Sequence, residues 1–176
     1  MKPFIPLLIS AILFGISPIK DTSEIFITSQ FRDSVSIKMN TLQLNAEVKS
    51  QVQNSARQAF YRDEIYYWTI SQNDSTLAHA FLDNVLGKSM PITFLVLFNT
   101  EGEIISSEVI KYREAYGGEV GNKNWLSQFI HFSDTSDYLV GKNIDGISGA
   151  TISVNSLSHG IRKIALLYPL IKDKLK

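Results

Sequence analysis

The stretch MPITFLVLFNTEGEIISSEVIKY, Met90 to Tyr112, decides the fold class. Its first ten residues form a compact apolar run with β-branched members, the mark of a strand. TEGE follows as a hairpin turn with Gly102 at the left-handed position. IISSEVIKY then returns as a second strand. In that strand Ile105, Ser107, Val109 and Lys111 share one face, and Ile104, Ser106, Glu108, Ile110 and Tyr112 share the other. A hairpin of this kind predicts a mainly antiparallel sheet.

The flanks add helices. AEVKSQVQNSARQAFYRDEIYYWTI (46–70) begins with helix formers and ends rich in Tyr, Trp and Ile, which predicts a helix and then a strand from about Ile65 to Ile70. LAHAFLDNVLGK (77–88) reads as either a short strand or a helix closed by Gly87. SEIFITSQF (23–31) reads as a strand or as the tail of the segment before it. Downstream, a glycine-rich loop with Gly117, Gly118 and Gly121 leads to a short helix around Trp125 to Ile130, and YLVGKNID (138–145) is a candidate short strand. ISVNSLSHGIRKIALLYPLI (152–171) places Val154, Leu157, Ile161, Ile164, Ala165, Leu167 and Tyr168 on one helical stripe. The expected architecture is one α/β domain of the α+β kind: an antiparallel sheet with packed helices and a C-terminal amphipathic helix.

Composition narrows the partners. Of 176 residues, 44% are apolar and 19% charged, with zero formal net charge, a globular balance. No basic run stands out, which argues against a nucleic-acid partner. Cysteine is absent, so disulfides and thiolate-held clusters are excluded. His79, His131 and His159 match no local metal-ligand spacing. At the N-terminus, MKPFIPLLISAILFGISPIKD (1–21) has one Lys, an apolar run from Phe4 to Ile16, then Pro18 and Lys20-Asp21. This fits an export signal; an uncleaved short membrane anchor is the alternative, although the run is shorter than the ~20 residues of a comfortable span.

One stretch carries chemistry. DGISGATISVNS (145–156) puts hydroxyls at Ser148, Thr151 and Ser153 just before the last helix, which needs only one as a cap. In one reading Asp145-Gly146 and Ser148-Gly149 make turns, and Thr151 or Ser153 caps the helix. That leaves the small pair Gly149-Ala150 idle. In the other, close backbone approach at this pair and the N–H groups of the helix end receive a phosphorylated ligand.

DGISGAT resembles the D-x-x-[ST]-G-A-[ST] motif of the FMN-binding domain family, which includes the peripheral flavoprotein subunits of Na+-pumping NADH:quinone reductase and Rnf-type reductase. The likeness implies that Asp145, Ser148, Gly149 and Ala150 fill the motif and that Thr151 accepts FMN through a phosphoester, with Ser153 close by. It extends upstream, over roughly 80–167. LGKSMPITFLVLFNTEGEIISSEVIKYRE is similar to the family's central hairpin, and EAYGGEVGNKNWLSQF to its glycine loop. Glu114 matches a glutamate there, Gly117 and Gly118 the glycines, and Trp125 and Phe129 the aromatics. Ala115-Tyr116 stands where the reductase subunits have Thr-Pro, so membership of either complex does not follow.

The resemblance implies the following chemistry and organisation. FMN is covalently held, Tyr112, Tyr116 and Trp125 are candidates to cover its ring, and Arg113 is a candidate to balance charge on the reduced ring's N1/O2 edge. Residues 1–20 would be the signal or anchor, 21–78 an N-terminal segment, and 79–176 the domain core. The chain would be an exported electron carrier rather than an independent catalyst, in the periplasm or at the outer face of the cytoplasmic membrane. It would need a flavin transferase for maturation, a membrane redox partner as electron donor, and an electron acceptor that the sequence does not identify. Two rivals remain open. One is a flavin-dependent reductase of a small exported substrate, with Tyr116, His131 or Glu119 as proton donor; the other is a flavin-free binding or scaffold domain.

Overall fold

The computed structural model describes residues 18–175. The segment expected to direct export or anchor the chain lies outside them except for Pro18–Lys20. Along the chain come α1 (Pro18–Ser29), β1 (Ser36–Gln43), α2 (Ala46–Ala56), β2 (Glu64–Gln72), β3 (Ser75–Leu86), β4 (Pro91–Asn99), β5 (Ile104–Lys111), α3 (Lys123–Leu126) and α4 (Thr151–Ile171). The five strands form one antiparallel meander in chain order, β1-β2-β3-β4-β5. The chain is a single α+β domain, as the hairpin and the final helix predicted.

Both faces of the sheet are covered, which explains the unbroken apolar run of β4. Ile92, Phe94, Val96 and Phe98 face the core shared with α4 and α2, while Leu95 and Leu97 join Trp68, Ile70 and Ala80 under Ile27 of α1. The hairpin turn is as read, with Gly102 at φ 94°. The whole predicted stripe of α4 is buried, from Val154 to Tyr168. Tyr168 stacks on Phe98 with ring centroids 5.0 Å apart, and His79 Nδ1 lies 3.1 Å from the Tyr168 hydroxyl.

A charged pair is buried beside this stripe. Lys163, fully enclosed, reaches Asp83 of β3 at 2.8 Å and donates to the Ala59 carbonyl at 2.7 Å. Its ammonium also lies 4.4 Å from the centroid of the Phe60 ring. Burial pushes the Asp83 carboxyl up from its ordinary range, against the attraction of Lys163.

Some local expectations resolve differently. Residues 75–86 are strand throughout, because Ala78, Ala80, Phe81 and Val85 bury alternately into the two core layers. SEIFITSQF is helical up to Ser29: the hydroxyls of Thr22 and Ser23 bond back to carbonyls four residues earlier, and Glu24 Oε1 accepts from Trp68 Nε1 at 3.0 Å. YLVGKNID makes only a bridge between Val140 and Ile144 around Gly141. The short helix ends at Leu126 and tightens into a 3-10 turn over Ser127–Phe129. Among the described residues, no helix is long and apolar enough to cross a membrane.

Candidate functional site

Three chain segments meet at the N-terminal end of α4: the β3–β4 connection, the loop after β5, and the turn before α4. Together they line a cleft of about 730 Å³, within the ~300–1,000 Å³ range of small-molecule sites. Lys88, Ser89 and Met90 come from the first segment, Arg113 to Gly117 from the second, and Gly149 to Ser153 from the third.

The turn before α4 settles which hydroxyl caps the helix. None does. Ala150 occupies the capping position with no side-chain bond, and Thr151 is the first helical residue. Ser153 is buried and its hydroxyl pairs with the Tyr112 hydroxyl at 2.9 Å. Thr151 is exposed and borders the cleft. Gly149, at φ 81°, turns the chain in the left-handed region that a Cβ would strain. The N–H groups of the first turn therefore point out of the helix with no side chain offered to them, beside an accessible hydroxyl.

The loop after β5 is fastened to both neighbours. Tyr112 Oη donates to the Tyr116 carbonyl at 2.5 Å and also lies against Ser153. Gly117, at φ 84°, fits beneath them: a Cβ there would meet Tyr112 Oη at 2.7 Å and Ser153 Oγ at 2.9 Å. Glu114 Oε1 accepts the backbone N–H groups of Ser89 at 2.5 Å and Met90 at 2.9 Å. These bonds hold its carboxyl down at about 2. Gly87 makes room for that carboxylate, since a Cβ would stand 3.0 Å from Glu114 Oε2. Arg113 reaches back along β4, Nη1 donating to the Pro91 carbonyl at 2.7 Å and to Thr93 Oγ1 at 3.0 Å.

The sequence-predicted residues divide accordingly. Arg113, Glu114, Tyr116, Gly117, Gly149, Ala150, Thr151 and Ser153 line the cleft. Tyr116, which borders the cleft, is 85% exposed. Trp125 does not border the cleft. It is buried against Phe129, and its indole N–H donates to the Asp145 carbonyl at 2.8 Å, while Gln128 Oε1 accepts the Asp145 N–H. It thus holds the turn that presents Thr151. Asp145 and Ser148 are exposed on that turn, outside the cleft wall, and Gly118 begins the 3-10 turn under Tyr112. Lys88, Ser89, Met90 and Ile152 line the cleft without having been singled out. The pairing of Gly87 with a glutamate 27 positions on is what brings the first three there, and no local pattern encodes it. Among the described residues no cluster of His, Asp and Glu suited to a metal occurs.

The family model described as FMN-binding domain matches residues 87–165, from the start of the β3–β4 connection into α4. No curated protein matches the chain.

Proposed function

We propose that this chain, whose residues 87–165 match the FMN-binding domain family model, is a flavoprotein that holds FMN through a phosphoester to Thr151 and works as an exported electron carrier. The observation that carries the reading is the uncapped start of α4. Its first hydroxyl, on Thr151, is exposed at the cleft, while the competing hydroxyl of Ser153 is taken up by Tyr112. A phosphate esterified there would meet outward N–H groups and the positive end of a helix of 21 residues.

The residues present fit the group. Thr151 supplies the attachment oxygen: its O–H bond is replaced by a P–O bond as the donor's leaving group departs, and the proton passes to a base of the flavin transferase. Gly149 lets the backbone turn close to the phosphate. Met90, Tyr116 and Ile152, all substantially exposed, offer apolar walls to a planar ring. Arg113 supplies positive charge on the β4 side of the cleft, and Glu114 fixes the wall rather than facing a ligand with an unpaired carboxylate. When bound, the flavin supplies reversible electron uptake; the chain's part is to orient it and exclude competing chemistry. Tethering suits a carrier outside the cytoplasmic membrane, loaded by a transferase, reduced by a membrane partner and reoxidised by a separate acceptor.

Intact mass of protein exported with a matched flavin transferase tests this directly. Native protein should gain ~438 Da, FMN less water; Thr151→Ala should gain nothing and Thr151→Ser should retain the gain. An unmodified native protein beside an active transferase, or a Thr151→Ala variant that still carries the mass, would refute the assignment.

A further inference from the structure

Three charged side chains line the cleft, and two of them are already committed to the fold. Glu114 Oε1 takes the N–H groups of Ser89 and Met90 and the Ser89 hydroxyl, and Glu114 Oε2 lies 3.4 Å from the Tyr112 hydroxyl. Arg113 is tied to the sheet: its Nη1 is shared among the Pro91 carbonyl, Thr93 Oγ1 and, at 3.4 Å, the Lys111 carbonyl. The third is Lys88. It borders the cleft, it is exposed, and it pairs with no carboxylate among the described residues.

The Glu114 clamp fixes where this lysine starts. Gly87 packs against the carboxylate on one side of Lys88, and the bonded N–H groups of Ser89 and Met90 follow on the other. Its backbone is therefore held between anchored neighbours, while its four-carbon stem is free to turn and carries a compact charge. The demand for charge in the cleft comes in two parts. The phosphoester at Thr151 brings one negative charge, which the uncapped start of α4 receives. Reduction of the ring brings another, and neither α4 nor the committed Glu114 is placed to answer it. Lys88 stands on the same turn as Met90, an apolar wall of the cleft, and on a different segment from Thr151. Its charge belongs with the ring rather than with the phosphate.

We infer that the Lys88 ammonium pairs with the negative charge that the flavin ring acquires on reduction, and that this lysine rather than Arg113 raises the midpoint potential of the carrier. The inference deepens the flavin-carrier reading and rests on it. Two electrons from the donor and one proton from water, taken at N5, leave the reduced ring with one negative charge spread over N1 and O2. A cation beside that edge favours the reduced form and leaves the neutral oxidised ring almost unaffected. Because Lys88 is exposed, the pair is screened by salt.

The test compares native protein, Lys88→Gln and Lys88→Arg, each full-length and flavinylated with excess transferase. Midpoint potentials come from dithionite titration under nitrogen against a reference dye. Lys88→Gln should disfavour the reduced form roughly tenfold, a fall of ~30 mV for a two-electron couple. Lys88→Arg should stay near the native value, and the gap between native and Lys88→Gln should narrow as salt is raised. Sulfite gives a second reading without electron transfer to a partner: it bonds through sulfur to N5 of the oxidised ring, leaves negative charge at N1 and bleaches the absorbance. Its dissociation constant should rise about tenfold in Lys88→Gln, as expected for the same lost pairing. Equal potentials in native protein and Lys88→Gln, a Lys88→Arg value as low as that of Lys88→Gln, a gap indifferent to salt, or unchanged sulfite affinity would each overturn the inference. So would a lowered thermal midpoint of unflavinylated Lys88→Gln, which would mean that the side chain props the turn. Intact mass is taken on every sample first. A native protein without the ~438 Da gain sinks the carrier reading, whereas equal potentials in samples that carry the gain sink the Lys88 assignment alone.

Discussion

Gly160→Ala sets two physical effects against each other, and the structure decides which wins. Gly160 lies in the middle of α4, where alanine would favour the helix by ~1 kcal/mol. A Cβ at this position, however, would stand 2.5 Å from Val85 Cγ1 and 3.0 Å from Phe94 Cζ. Both neighbours are buried in the sheet, and Val85, being β-branched, has little freedom to turn aside. Overpacking of this kind costs ~1–3 kcal/mol, and the contact to Val85 is close enough to place it in the upper half. The net loss should be ~1–2 kcal/mol. At ~2–4 °C per kcal/mol for a domain of this size, the thermal midpoint should fall by ~2–8 °C. Urea unfolding should show a lower midpoint with an unchanged slope. Adding Val85→Ala should relieve the clash, giving a favourable coupling of ~1 kcal/mol in the double-mutant cycle. A variant more stable than the parent by ~1 kcal/mol would mean that propensity alone governs, and that α4 does not approach the sheet as closely as described.

Lys163→Met should destabilise the fold by ~3–5 kcal/mol, because the Asp83 carboxylate would stay buried without its partner, and adding Asp83→Leu should recover most of the loss; chemical denaturation measures both. Glu114 is held near 2 against an ordinary 4.5, so what it contributes is complete above the ordinary value and disappears as pH falls towards 2. Glu114→Gln should therefore cost stability at neutral pH, with the gap to the parent closing between about 4.5 and 2; a gap constant with pH would mean that the carboxylate charge does not make the clamp. Trp125→Phe keeps the packing on Phe129 but removes the bond to the Asp145 carbonyl. It should cost ~1 kcal/mol and slow flavinylation of Thr151 when transferase is limiting, read as the fraction gaining mass with time.

What the sequence revealed follows the range of the forces involved. The β4–β5 hairpin was legible because a strand buried on both faces must be apolar at successive positions, and because its turn needs a residue at positive φ. The α4 stripe was legible for the same kind of reason: one local period, one buried face. β3 was ambiguous since Ala, Leu and Phe suit a helix as well as a strand, and only pairing with β2 and β4 decides. α1 was hidden by the alternation of Ile25 and Ile27, of which only Ile27 is buried; the carbonyl-bonded hydroxyls that mark it as a helix leave no periodic signal. At the site, the exposed hydroxyl of Thr151 and its small neighbours stood out locally. The roles of Ser153 and Trp125 did not. Ser153 looks like a cap until Tyr112, 41 positions earlier, claims its hydroxyl, and Trp125 looks like a ring cover until its indole turns inward to the Asp145 carbonyl.

These long-range bonds are what make the cleft a frame rather than three adjacent loops. Glu114 joins the loop after β5 to the β3–β4 connection through two backbone N–H groups, and Tyr112 joins the same loop to α4 through Ser153. Two glycines, Gly87 and Gly117, make those junctions possible by leaving space where a Cβ would collide with the bonded groups. The clamps end on backbone groups or on one another's side chains, and leave the Thr151 hydroxyl and the outward N–H groups of α4 unengaged. A site arranged in this way spends its side-chain hydrogen bonds on holding its walls. It meets its ligand with backbone dipoles, one hydroxyl and apolar surface, a combination suited to keeping a phosphate fixed while a planar ring stays within reach of a partner.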